Sequence, residues 1–288
     1  QRCNGPEWVS RLQTLKVNGF DPASIIKDAG SAMTAAVTEV FPDANQGDDL
    51  FHAIYLLNKA GRYMENAAYR AIDRFDTLDG QRLRAKGPKR RKLGQDCRYY
   101  PPRMDDAIGR FDAFDELSEA VKALLQLCDP GSSTLRTAEE VRTRLPVLAA
   151  KIGKLGGTRA KKVARYLTNR VEGLCSYLVV LADALGSCVH LLGDEQLVGT
   201  MLRAYQANLL AGRGPRWQRE ERQAELEAAV RELIALSGTP QRLVRVVEVV
   251  VPVLVRRHRA SSAIENLHSI LRPHIKVHKR VSQGFLDL

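Results

Sequence analysis

The chain has 288 residues, 44% hydrophobic content, a net charge of +11 and a pI near 9.6. That length suits one large domain or two ordinary ones, and the composition excludes a disordered or fibrous chain. The longest apolar run, Val246–Val255, is interrupted by Glu248 and Pro252, so no bilayer-spanning stretch of roughly 18–20 residues is expected.

The first residues are Gln1, Arg2, Cys3 and Asn4. They carry neither a secretory signal nor an initiator Met, and the chain is expected to be a piece of a longer protein. Pro6–Asn18 reads as a short amphipathic helix with Trp8, Val9, Leu12 and Leu15 near one face. Ala23–Lys27 reads as a strand running into Asp28, and Ser31–Val40 as a helix broken by Phe41-Pro42-Asp43. Ala44–Gly47 is a weakly signalled strand. Asp49 then caps a helix from Leu50 to about Phe75. The order helix, strand, helix, strand, helix is an α/β signature.

After Asp76 the character changes. Leu78–Pro102 carries Gly80, Gly87, Pro88, Gly94, Pro101 and Pro102 and reads as a loop or linker. Helices are then expected over 105–128, 137–152, 158–192, 195–211, 216–237 and 240–257, with breaks at the Gly and Pro clusters between them. The valine-rich run Val244–Val255 admits a buried strand, but a buried helix is preferred. A last helix is expected from Ala263 to about Leu271, ended by Pro273.

The positive charge is clustered. Arg82–Arg98 holds eight Lys/Arg against one Asp, Lys151–Arg170 holds seven and no acid, and Arg256–Arg280 holds seven against Glu265. Such clusters favour an acidic polymer, nucleic acid first, as partner. The five cysteines, at 3, 97, 128, 175 and 188, lack zinc-site spacing and are expected to be reduced thiols.

Three sets of residues could carry chemistry. Asp28 ends a strand before a small-residue turn, where open α/β sheets place their active sites; it would serve equally as a helix cap. Glu265 shares a helix face with Ser262, Ser269 and Arg272, with Asn266 and His268 beside it. An exposed helix with a salt bridge gives the same pattern. Asp48, Asp49 and His52 stand just after the second strand, as a cap and a packed histidine or as support for a metal site.

Ile25-Ile26-Lys27-Asp28-Ala29-Gly30, then Phe41-Pro42-Asp43-Ala44, then Asp49-Leu50-Phe51-His52 resemble the stretch around the second catalytic Asp of DDE-type bacterial insertion-sequence transposases. There a strand ends in Asp, a helix leads to an "fP-x-A" turn, and a "D-x-F-H" element follows. Arg259–Arg272 resembles their "SS-x-x-E-N-x-x-S-x-L-R" block with its catalytic Glu, and Val281–Leu288 resembles the "G-x-L-D-L" that follows. Both matches occur in the family's order.

The resemblance implies an α/β fold, a partial ribonuclease-H-like core, with a large all-α insertion, mostly helical overall. Residues 1–77 would form the first part of the core, without its first strands. Residues 78–255 would be a basic linker and helical insertion, and 256–288 the second part of the core with the Glu helix. Asp28 and Glu265 would be the catalytic and metal-binding residues, holding two Mg²⁺ or Mn²⁺ ions. Asp49, His52, Ser262 and Asn266 would support them. Lys89, Arg90, Arg91, Lys92, Lys161, Lys162, Arg259 and Arg272 would bind DNA. The family's first catalytic Asp is not found in this chain, so the fragment is expected to be inactive alone. The implied partners are transposon-end and target DNA and, in the full-length protein, a second copy. The implied location is cytoplasmic and nucleoid-associated, without membrane. A non-catalytic helical nucleic-acid-binding or scaffold protein is the alternative, and a ribonuclease-H-like nuclease without strand transfer is a third reading.

Overall fold

The structure, a computed structural model, describes residues 4–27, 30–214 and 216–256. The described chain forms two compact units. One runs up to His52 and the other is Ala53–Leu254.

The first unit begins with α1 (Gly5–Val17), capped by Asn4, whose Oδ1 accepts the Glu7 N–H at 3.0 Å. β1 (Ser24–Lys27), α2 (Ser31–Val40) and β2 (Asn45–Asp48) follow. The strands pair in parallel, with Ser24 opposite Asn45 and Lys27 opposite Asp48. Parallel pairing needs a crossover, and α2 supplies it while burying Ala36, Val37 and Val40. α1 packs on α2. There Lys16 donates from Nζ to the Val40 carbonyl at 2.7 Å and lies over the Phe41 ring, which Phe20 meets edge-on. The element order is the one the sequence predicts. The two strands are the whole sheet among the described residues, fewer than a ribonuclease-H-like core contains, and the chain is mostly helical.

α3 (Leu50–Arg84) begins in the first unit and continues through the second. It buries Ala53, Leu57, Ala60, Ala68 and Leu78. Its length corrects the reading of 78–102 as a loop. α3 runs on past Gly80, and α4 (Gly87–Tyr99) and α5 (Pro101–Leu124) fill most of the rest. Pro88 and the Pro101-Pro102 pair sit in the first turns of α4 and α5, where the missing N–H and fixed φ of proline cost a helix nothing. The breakers mark helix starts here, and Leu93 on α4 is buried.

α6 (Ala138–Lys154), α7 (Gly157–Asn169), α8 (Val171–Leu192), α9 (Glu195–Ala211), α10 (Arg216–Ser237) and α11 (Pro240–Arg256) follow close to the expected boundaries. The expected single helix over 158–192 is two helices, broken at Arg170 with φ −120° and ψ 13°. The valine-rich run is helical. Val246, Val250 and Leu254 are buried at four-residue spacing, a helical stripe that a strand's two-residue alternation would not make.

α8 buries Leu174, Leu178, Leu181, Leu185 and Cys188 on one face and packs against α6 and α9. It overturns the sequence expectation in one respect. With 22 residues and a mean hydropathy of 1.7, it is long and apolar enough to cross a membrane by length and composition. Its aligned buried stripe is also what the central helix of a bundle presents.

The connection from α5 to α6 is fastened on all sides. Tyr177 Oη donates to the Leu125 carbonyl at 2.8 Å, and the Leu127 N–H donates to Gln206 Oε1 at 3.1 Å. The buried guanidinium of Arg136 pairs with Asp129 and Glu140. Gly199 on α9 comes so close that a Cβ there would lie 2.2 Å from the Ser133 carbonyl oxygen, so only glycine fits. Arg203 reaches Glu225 and Glu232 at 2.7 Å each, joining α9 to α10. Its hydrogen bond holds the Glu225 carboxyl below the usual carboxylate range, helped by the Gly131 N–H. The stabilisation from this lowered pKa is present above the ordinary carboxylate pKa and is lost as pH falls through the folded-state value.

The cysteines follow the packing. Burial pushes the Cys128 thiol up to about 11, and burial also raises Cys175 and Cys188. Cys97, half-buried on α4, is free, as are the other three. The thiolate is the reactive form, and at pH 8 a pKa of about 11 leaves about one Cys128 in a thousand ionised. Brief alkylation of the folded protein at pH 8, read by peptide mass mapping, should therefore modify Cys97 and spare Cys128, Cys175 and Cys188. All should react after denaturation. Labelling of Cys128 as fast as Cys97 would contradict this packing.

Candidate functional site

In a parallel sheet the strand C-termini lie on one edge, and loops leaving that edge build the sites of α/β proteins. Here Lys27 ends β1 opposite Asp48 at the end of β2. The Asp49 N–H donates to the Lys27 carbonyl at 2.9 Å, so the pairing carries one residue past the strand. Asp28 is therefore the next residue in sequence after a position fastened to Asp49. Asp28 itself, like Arg259, Ser262, Glu265, Asn266 and Arg272, lies outside the described residues.

This edge is well packed. Lys27, Asp48 and Asp49 are all buried, and His52 is half-buried. The Lys27 ammonium donates to Gln46 Oε1 at 3.1 Å, and the same oxygen accepts the Thr38 hydroxyl at 3.1 Å. Lys27 and Asp48 are paired in register at the two strand ends, and a charged group buried there needs polar partners. Asp49 Oδ1 accepts the Phe51 N–H at 2.7 Å, so its carboxylate caps α3. The His52 N–H donates to the Asp49 carbonyl at 3.2 Å, in the first turn of that helix. The cap that the sequence offers for Asp49 is thus made. Among the described residues no three His, Cys, Asp or Glu side chains gather as a metal site.

The basic residues named from the sequence lie on the surface of the second unit. Lys89, Arg90, Arg91 and Lys92 are exposed on α4, and Lys161 and Lys162 are exposed on α7. α7 turns Ala160, Val163 and Leu167 inward and leaves its cations outside. No carboxylate of the described residues pairs with these six side chains.

The second unit also holds a cavity of about 620 Å³ beside α9 and α10, lined among others by Cys128, Arg203, Trp217 and Glu225. None of the candidate catalytic, metal-binding or DNA-binding residues read from the sequence lines it. A different set escapes the linear reading: Tyr55, Tyr63 and Tyr69 are exposed along α3. Their signal is spacing around a helix, which a search for acidic and basic runs does not register.

Comparison with protein-family models, with curated proteins and with solved structures finds no match. The functional reading therefore stands on the residues themselves.

The cap makes a prediction. Asp49→Ala should lower the free energy of unfolding by about 1–2 kcal/mol, and Asp49→Asn should retain most of it, because an Asn oxygen accepts the same N–H. Urea unfolding followed by circular dichroism measures both. Equal losses would show that the carboxylate charge, rather than the cap, holds this edge together.

Proposed function

We propose that this chain is the C-terminal part of a DDE-type transposase, a metal-dependent enzyme that nicks DNA at transposon ends and joins the freed 3′ end to target DNA. The observation that carries the reading is the pair of motif blocks around Asp28 and Glu265, in the family's order. The β1–α2–β2 unit supports it, since Asp28 directly follows a strand whose end pairs with Asp48. On this reading the two strands belong to a ribonuclease-H-like core, and the helices after α3 form its insertion.

Asp28 and Glu265 would be two of the carboxylates that hold a pair of Mg²⁺ or Mn²⁺ ions, which activate the attacking oxygen and stabilise the leaving one in phosphoryl transfer. Asp49 and His52 would brace the strand edge behind Asp28. Ser262 and Asn266 would flank Glu265, with Arg259 and Arg272 on the DNA phosphates. The protein would act as a homodimer on bacterial DNA, cytoplasmic and nucleoid-associated.

In the full-length protein with Mg²⁺ or Mn²⁺, Asp28→Asn and Glu265→Gln should each abolish nicking of transposon ends while leaving DNA binding nearly intact. Each substitution keeps the side-chain size and removes the charge that holds the cation. His52→Ala should cause a smaller loss. Nicking at the parental rate by both carboxamide variants would defeat the assignment and favour a non-catalytic DNA-binding or scaffold protein. Nicking without strand transfer in product analysis would instead indicate a simple nuclease.

The surface cations make a separate prediction. Replacing Lys89, Arg90, Arg91 and Lys92 together with Ala should weaken binding to all duplexes alike. It should also reduce the slope of log K against log salt by up to about 3–4, the value for four lost phosphate contacts. Filter binding across a salt series measures this, and a loss confined to one DNA sequence would contradict it.

A further inference from the structure

α3 has a face that its packing does not use. At about 100° per residue, Tyr55, Arg62 and Tyr69 fall on the side opposite Ala53, Leu57, Ala60 and Ala68, which are buried, and Lys59, Arg70 and Tyr63 follow round one flank. The three tyrosines are 47%, 48% and 59% exposed. Buried tyrosines are ordinary, but three on one solvent face, with cations interleaved, need a reason. Glu65 is the one acid between Tyr55 and Arg70. Beyond Arg70 the exposed side turns acidic with Asp73 and Asp76, which sets the end of the patch.

The rings and cations are already arranged together. Lys59 lies over the Tyr55 ring at 5.5 Å, and Arg159 from α7 lies over the Tyr63 ring at 4.5 Å. Arg159 ties this face to α7, whose exposed Lys161, Lys162 and Arg165 continue the positive charge. No carboxylate of the described residues pairs with Lys59, Arg62, Arg70 or Arg159. The cations therefore remain available to a polyanion.

Phosphate binding alone would need only the Lys and Arg residues. Flat, half-exposed rings add something a duplex does not offer, because its bases are stacked on one another. Unpaired bases expose their faces, and base–aromatic stacking is the general means by which proteins hold single strands. The rise of 1.5 Å per residue puts Tyr55 and Tyr69 about 21 Å apart along α3. That span suits a strand of a few nucleotides, at the lower end of the range of about 4–16 for single-strand platforms.

We propose that the exposed face of α3, with Arg159 of α7, binds single-stranded DNA. Bases stack on Tyr55, Tyr63 and Tyr69, and Lys59, Arg62, Arg70 and Arg159 hold the phosphates. The site lies wholly within the second unit and uses neither Asp28 nor Glu265. Its success or failure is thus separate from that of the nicking reaction.

The test uses the whole 288-residue chain and fluorescein-labelled oligonucleotides, read by fluorescence anisotropy. The probes are oligo-dT, oligo-rU and a mixed-sequence duplex. Each base stacked on an aromatic side chain strengthens binding by about 5- to 150-fold. The triple variant Tyr55→Ala, Tyr63→Ala, Tyr69→Ala should therefore lose more than about tenfold in affinity for oligo-dT, while duplex binding stays within about twofold. The triple Tyr→Phe variant, which keeps the rings, should bind oligo-dT within about threefold of the parent. Base stacking and phosphate contacts do not by themselves distinguish ribose from deoxyribose, so oligo-rU should bind comparably to oligo-dT. Circular dichroism confirms that the variants fold.

Unchanged oligo-dT binding in the alanine variant would overturn the proposal, as would equal losses on single strand and duplex. A phenylalanine variant as weak as the alanine one would also overturn it. So would a strong preference for oligo-rU, which would make RNA the ligand. If the alanine variant turned a self-associated parent into a monomer with single-strand binding intact, the face would instead be an interface between copies.

Discussion

Water must be kept from α8, and most of the second unit is organised around that requirement. Leu174, Leu178, Leu181, Leu185 and Cys188 recur at alternating spacings of four and three, so they form one stripe nearly parallel to the helix axis. α6 and α9 pack against this helix. α11 approaches through the weak Cys188 thiol contact to the Val249 carbonyl at 3.8 Å. Once these helices are gathered, their polar connections need partners inside the same body. Gln206 answers the Leu127 N–H, Tyr177 answers the Leu125 carbonyl, and Arg136 answers Asp129. Burying apolar surface sets the helix order, and these polar ties give the loops one geometry.

The first unit works on another principle. Among its described residues it has two short strands, and backbone pairing does much of the positioning. The Lys27–Asp48 register and the bond from the Asp49 N–H to the Lys27 carbonyl bring two strand ends together. The Asp49 carboxylate then starts α3. This edge ends one strand, caps a long helix and buries the Lys27 side chain, whose ammonium donates to Gln46. The basic surface of the second unit is of a different kind, since Lys89, Arg90, Arg91, Lys92, Lys161 and Lys162 project from helix exteriors.

Local patterns were the most legible part of this chain. Asn4 with Pro6, Thr137 with Glu140, and Asp194 with the Leu197 N–H mark helix starts that coincide with those read from sequence. The failures have physical causes. Gly87-Pro88 and Pro101-Pro102 resemble loop residues in one dimension, yet in a first turn they are compatible with a helix. The break at Arg170 carries no Gly or Pro, so nothing in the chain announced it. α8 does not stand out in the sequence as an unbroken apolar run because Glu172, Asp183 and His190 interrupt it, although they fall outside the buried stripe. For the candidate site, Asp49 was readable as a cap because capping is a local bond between near neighbours. The exposed tyrosines of α3 were not, because their meaning depends on which side of the helix is covered and on Arg159, which comes from a distant segment.

The hydropathy of α8 has a consequence for how the chain leaves the ribosome. A segment of this length and apolarity, emerging uncovered, presents the signal that targeting and insertion machinery recognises. α6, one of the helices packed against it, precedes it in the chain, and α9 and α11 come later. At about 5–20 residues per second, the stretch through Ala211 follows within about 1–4 s. The order of synthesis thus shields the most membrane-like helix among the described residues from one side before it is complete and from a second side soon after.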